Sequence, residues 1–196
     1  SKVNFVYAQG CDLTTDNRQG FAEALAVARK ADIVLAVMGE DFNWSGEAAS
    51  RVNIKLPGAQ QDLLKELVKL GKPVGLVLMN GRPLDLSWED KNVDAIMEAW
   101  YLGTMAGYSI ADVVSGAYNP SARLTMSFPR SVGQSPLYYN HKNTGRPIDP
   151  AAPKTDYRSF YIDEENTPLY PFWYGLSYTT FEITKLRLNQ NVLEKD

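Results

Sequence analysis

The chain has 196 residues, 44% of them hydrophobic and 22% charged, with a formal net charge of −3. That balance is ordinary for one globular domain. It shows no basic stripe to draw nucleic acid and no apolar run of about 18 residues to span a membrane. One cysteine, Cys11, excludes an internal disulfide and leaves the compartment open.

Residues 3–7, Val-Asn-Phe-Val-Tyr, read as a strand, and with Ser1 ahead of them the chain looks cut from something longer. Asp16 with Gln19 three residues on predicts a capping box. The helix it opens, about 18–30, carries Phe21, Ala24, Leu25 and Ala28 on one face. Residues 32–38 form a continuous apolar run, the pattern of a parallel strand covered on both faces. A loop over 42–51 follows, Phe-Asn-Trp-Ser-Gly-Glu-Ala-Ala-Ser-Arg.

A second helix is expected over 59–70, with Leu63, Leu64, Leu67, Val68 and Leu70 as its buried stripe and Gly71 at its end. Pro73 to Met79 reads as another buried strand, and Asn80-Gly81-Arg82-Pro83 turns away from it. Residues 94–100 give a short strand. Thr104 is placed to cap a helix over 105–115, closed by Gly116. After the turn at 119–121 a last strand is expected at 123–126.

The order β-α-β-α-β-β-α-β predicts an α/β fold, a mostly parallel sheet between helices. From Phe128 to about Tyr178 proline, tyrosine, asparagine and glycine dominate, which predicts a long ordered loop region. Thr180 to Leu188 alternates imperfectly and reads as a linker or the first strand of another module. The expected division is therefore 1–178 and 179–196.

Ligands gather at the carboxyl ends of strands in such sheets. Three such ends are readable: Glu40-Asp41 with the loop to Arg51, Asn80 to Pro83, and Trp100 to Gly103. Glu47, close to Trp44, is the sharpest candidate. A carboxyl beside an apolar ring tends to a raised pKa, which suits a general acid. The plainer reading is a solvated side chain, or a pair with Arg51 four residues on. Glu40 and Asp41 are rivals better placed to brace the loop. Arg51 reads as a clamp or a tuner of a carboxylate, and Trp44 and Phe42 as a platform for a sugar ring or as loop packing.

Other chemistries have little behind them. His141 is the only histidine, so no metal is expected. No Gly-x-Ser-x-Gly elbow and no phosphate-binding glycine motif occurs, which weakens a triad hydrolase or a flavodoxin-like nucleotide domain. Glu98, in an apolar strand, reads as a buried brace.

Five stretches carry a resemblance: "ADIVLAVMGE", "SGEAASRVNIKLPGAQQDLLKEL", "KPVGLVLMNGRPL", "IADVVSGAYNPSARLTMSFPRSVGQSPLYYNHKNTGRP" and "LYPFWYGLSYTTF". Together they span nearly the whole chain. The sequence resembles the C-terminal α/β sandwich domain of glycoside hydrolase family 3, most closely its bacterial periplasmic β-glucosidase branch.

The resemblance implies a three-layer α/β/α sandwich and a retaining two-carboxylate mechanism, the carboxyls roughly 5–5.5 Å apart. The nucleophile would lie on an N-terminal (β/α)8 barrel of the same chain that this sequence does not contain. The family's Ser-Gly-Glu followed by Arg matches Ser45, Gly46, Glu47 and Arg51. Glu47 would then be the acid/base, with Phe42, Trp44, Ser45 and Arg51 around the substrate. The implied substrate is a β-glucoside or β-linked oligosaccharide, without cofactor, in the periplasm or outside the cell. The module following residue 178 would be of fibronectin type III type. The alternative is a non-catalytic scaffold or carbohydrate-binding domain that shapes the aglycone side of the pocket. One departure stands out: Trp173 occupies a position where the family usually has glycine.

Overall fold

The computed structural model describes residues 3–143, 145–147, 157–190 and 192. Three parallel strands form one sheet in the order β1-β2-β3: β1 (Val34–Gly39), β2 (Val74–Met79) and β3 (Ala95–Glu98). Val34 pairs with Val74 and Gly39 with Met79, while Gly75 pairs with Ala95 and Leu78 with Glu98. Among the described residues four helices accompany the sheet: α1 (Phe21–Lys30), α2 (Gln60–Val68), α3 (Glu89–Asn92) and α4 (Ala106–Val114). The α/β class expected from the sequence is the class observed.

The core lies where α2 meets the sheet. Leu63, Leu64 and Leu67 of α2 recur at helical spacing and are buried against Val74, Leu76 and Leu78 of β2 and Ala36 and Met38 of β1. Leu64 is fully buried, so its truncation to alanine would cost about 2–5 kcal/mol. Leu56, Leu84, Leu86 and Phe128 extend the core through the loops. The Phe128 ring meets Trp100 at 5.9 Å and Tyr170 at 6.0 Å.

Several local expectations are corrected. Residues 3–7 form no strand; Phe5 and Tyr7 are more than four-fifths exposed, and without a neighbour an extended segment has no ladder to join. Residues 123–126 form none either. Their backbone is engaged by the tail instead: Leu124 N donates to Tyr174 O, Trp173 N to Leu124 O, and Phe128 N to Tyr170 O, each at 2.8 Å. The run 32–38 is buried on one face only, with Leu35 and Val37 exposed among the described residues.

The capping box is not made. Gly20 is the N-cap of α1 without a side-chain cap, and Asn17 Oδ1 instead accepts from Gln19 N at 3.0 Å. Thr104 does not cap α4, whose N-cap is Met105. Between Phe128 and Tyr178 the described residues hold one short 3₁₀ turn, Val132–Gln134, and the isolated Phe128–Tyr170 bridge. Gln134 fastens this stretch, accepting from Arg130 N and donating to Glu165 O at 2.7 Å each. Tyr178 ends it, its hydroxyl donating to Val113 O at 2.5 Å and its amide to Asn119 Oδ1 at 2.8 Å. The described residues beyond Tyr178 form no strand, and Ile183 and Leu186 are exposed.

Candidate active site

Parallel strands deliver their next residues to the same edge of the sheet, so the three strand ends named from the sequence meet in space. Glu40 follows β1, Asn80-Gly81-Arg82 follow β2, and Glu98 closes β3 ahead of Trp100 and Tyr101. Tyr101 reaches across, its hydroxyl donating to Asp41 O at 3.1 Å and lying 3.3 Å from Glu40 O. Burial, with the Glu40 charge adding to it, pushes the Tyr101 phenol above its ordinary value.

Glu40 is the centre of this edge. Its side chain is wholly buried and meets two arginines: Arg51 Nη1 at 2.5 Å and Arg82 Nε at 3.2 Å. Gly81 N donates to its second oxygen at 3.4 Å. A buried carboxylate is tolerable only when so compensated. Arg51 also donates to Lys55 O at 3.1 Å and lies over the Trp44 ring at 4.9 Å. Arg82 Nη2 donates to Trp44 O and, at 3.0 Å, to Ala49 O.

The loop itself begins with a 3₁₀ turn, Phe42–Trp44, whose N-cap Asp41 accepts from Asn43 N at 2.8 Å. Asp41 therefore caps rather than faces a pocket. Phe42 is 71% exposed, and Trp44 and Ser45 are half-buried. Ser45 and Tyr101 crowd Gly81 so closely that any Cβ at 81 would collide with both, which is why the turn after β2 needs glycine there. Asn80, fully buried, tightens the same turn by donating to Arg82 O at 2.6 Å.

Glu47 is exposed at the tip. Among the described residues it has no ion pair, and Arg51, its nearest cation by spacing, is engaged by Glu40. Trp44, expected beside Glu47, has its ring covered by Arg51. Glu98 lies underneath: Oε1 accepts from Trp100 N at 2.9 Å, while Oε2 and Asn80 Oδ1 are buried without a partner. Burial above all, reinforced by the Glu40 charge and opposed by the bond from Trp100 N, pushes the Glu98 carboxyl up to about 8. It is thus largely protonated at neutral pH.

His141 is exposed, and among the described residues no cluster of histidine, cysteine and carboxylate is placed to hold a metal. No helix among them is long and apolar enough to cross a membrane. Sequence reasoning found the loop and its carboxylate but passed over Arg82 as a site residue. The only available signal was an arginine three residues beyond a strand end.

A family model, the glycosyl hydrolase family 3 C-terminal domain, matches residues 2–178. The chain is 54% identical to the periplasmic β-glucosidase of Salmonella typhimurium over 89% of its own length and 23% of that protein's. It is 42% identical to a β-xylosidase of Formosa agariphila, over 92% of this chain and 24% of that one. The crystal structure of a β-glucosidase from Listeria innocua superposes with a TM-score of 0.83 at 45% identity, covering 88% of this chain and 24% of that one. The chain spans about a quarter of the length of the relatives it matches.

Proposed function

From the premise that the chain belongs to the glycosyl hydrolase family 3 C-terminal domain family, we propose that it is the acid/base-bearing domain of a retaining, exo-acting β-glucosidase. Glu47 is its proton donor. The nucleophilic carboxylate and most of the sugar pocket belong to a barrel domain elsewhere in the same polypeptide. The substrate is a terminal β-D-glucosyl residue of a glucoside or β-linked oligosaccharide, and the enzyme works in the periplasm or outside the cell.

The observation that carries this reading is the contrast between Glu40 and Glu47. Eight sequence positions or fewer separate three carboxylates at one strand end. Glu40 is buried and doubly ion-paired, and Asp41 is spent on a cap. Glu47 alone is exposed and free of an ion pair, on a loop held at both ends. Only such a group can approach a substrate seated on another domain.

In the first half-reaction the Glu47 carboxyl gives its proton to the glycosidic oxygen as the barrel's carboxylate bonds to the anomeric carbon, and the aglycone leaves as an alcohol. In the second, the Glu47 carboxylate takes a proton from water. The water oxygen bonds to the anomeric carbon and the nucleophile departs, restoring both carboxyls. Phe42, at the loop's exposed base, is placed as an apolar wall toward the aglycone; Trp44, Ser45 and Arg51 shape the loop behind it. The domain runs to Tyr178, whose two hydrogen bonds anchor it. The segment 179–196 is a linker or the start of a fibronectin type III-like module.

The test is kcat/KM of the intact enzyme with Glu47→Ala on two aryl β-glucosides, one with a poorly acidic leaving group and one with a strongly acidic one. Loss of about 10²–10⁴-fold on the first and little on the second is expected. Equal, modest losses would assign the domain to the scaffold reading.

A further inference from the structure

Resting on that reading of Glu47, we propose that Arg82 is the positioning residue for the acid/base. It fixes the loop by binding the main chain on both sides of Glu47, while Glu40 holds the guanidinium to the sheet. Trp44 and Ala49 lie three residues before and two after Glu47, and one nitrogen, Arg82 Nη2, donates to both carbonyls. At the neighbouring nitrogen of the guanidinium, Nε meets the buried Glu40 carboxylate at 3.2 Å. The arginine comes from the end of β2 and the loop from the end of β1, so the tether crosses between adjacent strands.

The loop needs such a tether. Gly46 is at φ 137° with no atom near its would-be Cβ, so no neighbouring group packs against that face of the loop. Ala48 sits at φ 59°, a left-handed conformation that costs a residue with a Cβ roughly 1 kcal/mol or more. Such a conformation persists only where the surroundings impose it. Ala49 N, donating to Gly46 O at 3.3 Å, closes the turn around it, and the bond from Arg82 Nη2 to the next carbonyl, Ala49 O, fastens that turn to the sheet. A planar guanidinium can hold a carboxylate at one nitrogen and carbonyls at another; a lysine ammonium at the end of a flexible stem cannot hold all three in one geometry.

The consequence is catalytic because proton transfer depends on placement. A shift of about 1 Å in a reacting group can cost about 100-fold. Arg82→Lys in the intact enzyme is therefore expected to reproduce the Glu47→Ala signature in milder form: a loss of about 10–100-fold in kcat/KM on the poor leaving group and less than about 3-fold on the good one. In a Glu47→Ala background Arg82→Lys is expected to add nothing, since it acts through Glu47.

Equal losses on the two substrates, additive losses in the double variant, or no loss at all would each overturn the proposal. If Arg82→Lys does not fold, Glu40→Gln releases the same guanidinium at Nε, and the same split is expected at a temperature where circular dichroism shows that variant folded. The two levels fail separately. If Glu47→Ala itself lacks the leaving-group split, the assignment of Glu47 falls and the positioning role with it. If Glu47→Ala shows it and the Arg82 and Glu40 variants do not, only the positioning role falls.

Discussion

The side-chain amide of Gln60 pairs with the backbone of Gly39 as one peptide group pairs with another. Gly39 N donates to Gln60 Oε1 and Gln60 Nε2 to Gly39 O, both at 2.8 Å. Nε2 also donates to Leu13 O at 2.7 Å. At the start of α2, Gln60 thus extends the sheet by one artificial rung beside the last residue of β1.

Replacing Gln60 with leucine keeps the volume and removes both partners of Gly39. Gly39 is buried, so its N–H and C=O would be left without their bonds, at about 1–3 kcal/mol each before relaxation and water entry reduce the sum. A destabilisation of about 2–4 kcal/mol is expected, read as a lower urea midpoint for the domain's transition. A midpoint unchanged within error would show that the rung carries no load.

Glu98 predicts a pH dependence of stability. Its folded-state value of about 8 stands above the ordinary glutamate value of about 4.3 expected in the unfolded chain. Between the two values the folded state keeps a proton that the unfolded chain has lost. Glu98 therefore makes stability fall as pH rises from about 4.5 toward 8, by at most about 1.4 kcal/mol per unit, and the fall levels off above 8. Glu98→Gln removes that slope. The advantage of the variant in Tm is expected to grow from pH 5 to pH 8, and a constant difference across that range would refute it.

Trp173 predicts a gain. It is 69% exposed and held at φ 71° by the bond from its amide to Leu124 O. A left-handed conformation penalises a side chain with a Cβ and not glycine, which gives a physical reason for the glycine usual at this position in the resembling family. Its ring contact with Phe172, at 5.9 Å and tilted, recovers little. Trp173→Gly is expected to raise stability by about 1 kcal/mol after glycine's greater unfolded-state freedom is subtracted. A thermal melt of the two proteins decides it.

The fourth expectation concerns the chain by itself. A retaining mechanism needs two carboxylates around one sugar, and under the proposed function the second lies on another domain. Purified chain is expected to show no turnover of aryl β-glucosides above buffer, even with a strongly acidic leaving group. Turnover that co-purifies with the chain and is abolished by Glu47→Ala would contradict the division of labour proposed here.

What could be read from the sequence was whatever depends on neighbours in the chain. The runs that became β1 and β2 are apolar for six residues each, and the stripe Leu63, Leu64, Leu67 repeats at helical period, so their type was visible. Tyr7 and Phe5 look like strand residues by the same local rule, yet a strand exists only by pairing. Leu124 and Phe128 illustrate the reverse, since their partners, Tyr174 and Tyr170, lie some 40 to 50 residues away. Glu47 was visible because its neighbours, Trp44, Gly46 and Arg51, are odd company for a solvated loop. Arg82 was not, because its contacts at 44 and 49 are 38 and 33 positions off. No spacing rule links a turn after one strand to a loop after another.

The two tethers on the loop fall at Trp44 and Ala49, outside the stretch Ser45 to Ala48 that they enclose. That makes the enclosed segment a cassette: its ends are fixed to the sheet by main-chain carbonyls, which every amino acid possesses. Side-chain changes within it leave that anchoring chemistry intact, within the limits set by the positive φ of Gly46 and Ala48. Ser45, packed against Gly81, is the one member with a standing obligation to the sheet. Under the proposed function, an engineer who wants to alter which aglycone is accepted would vary the exposed Phe42, outside the cassette, and leave Glu47, Arg82 and Glu40 untouched.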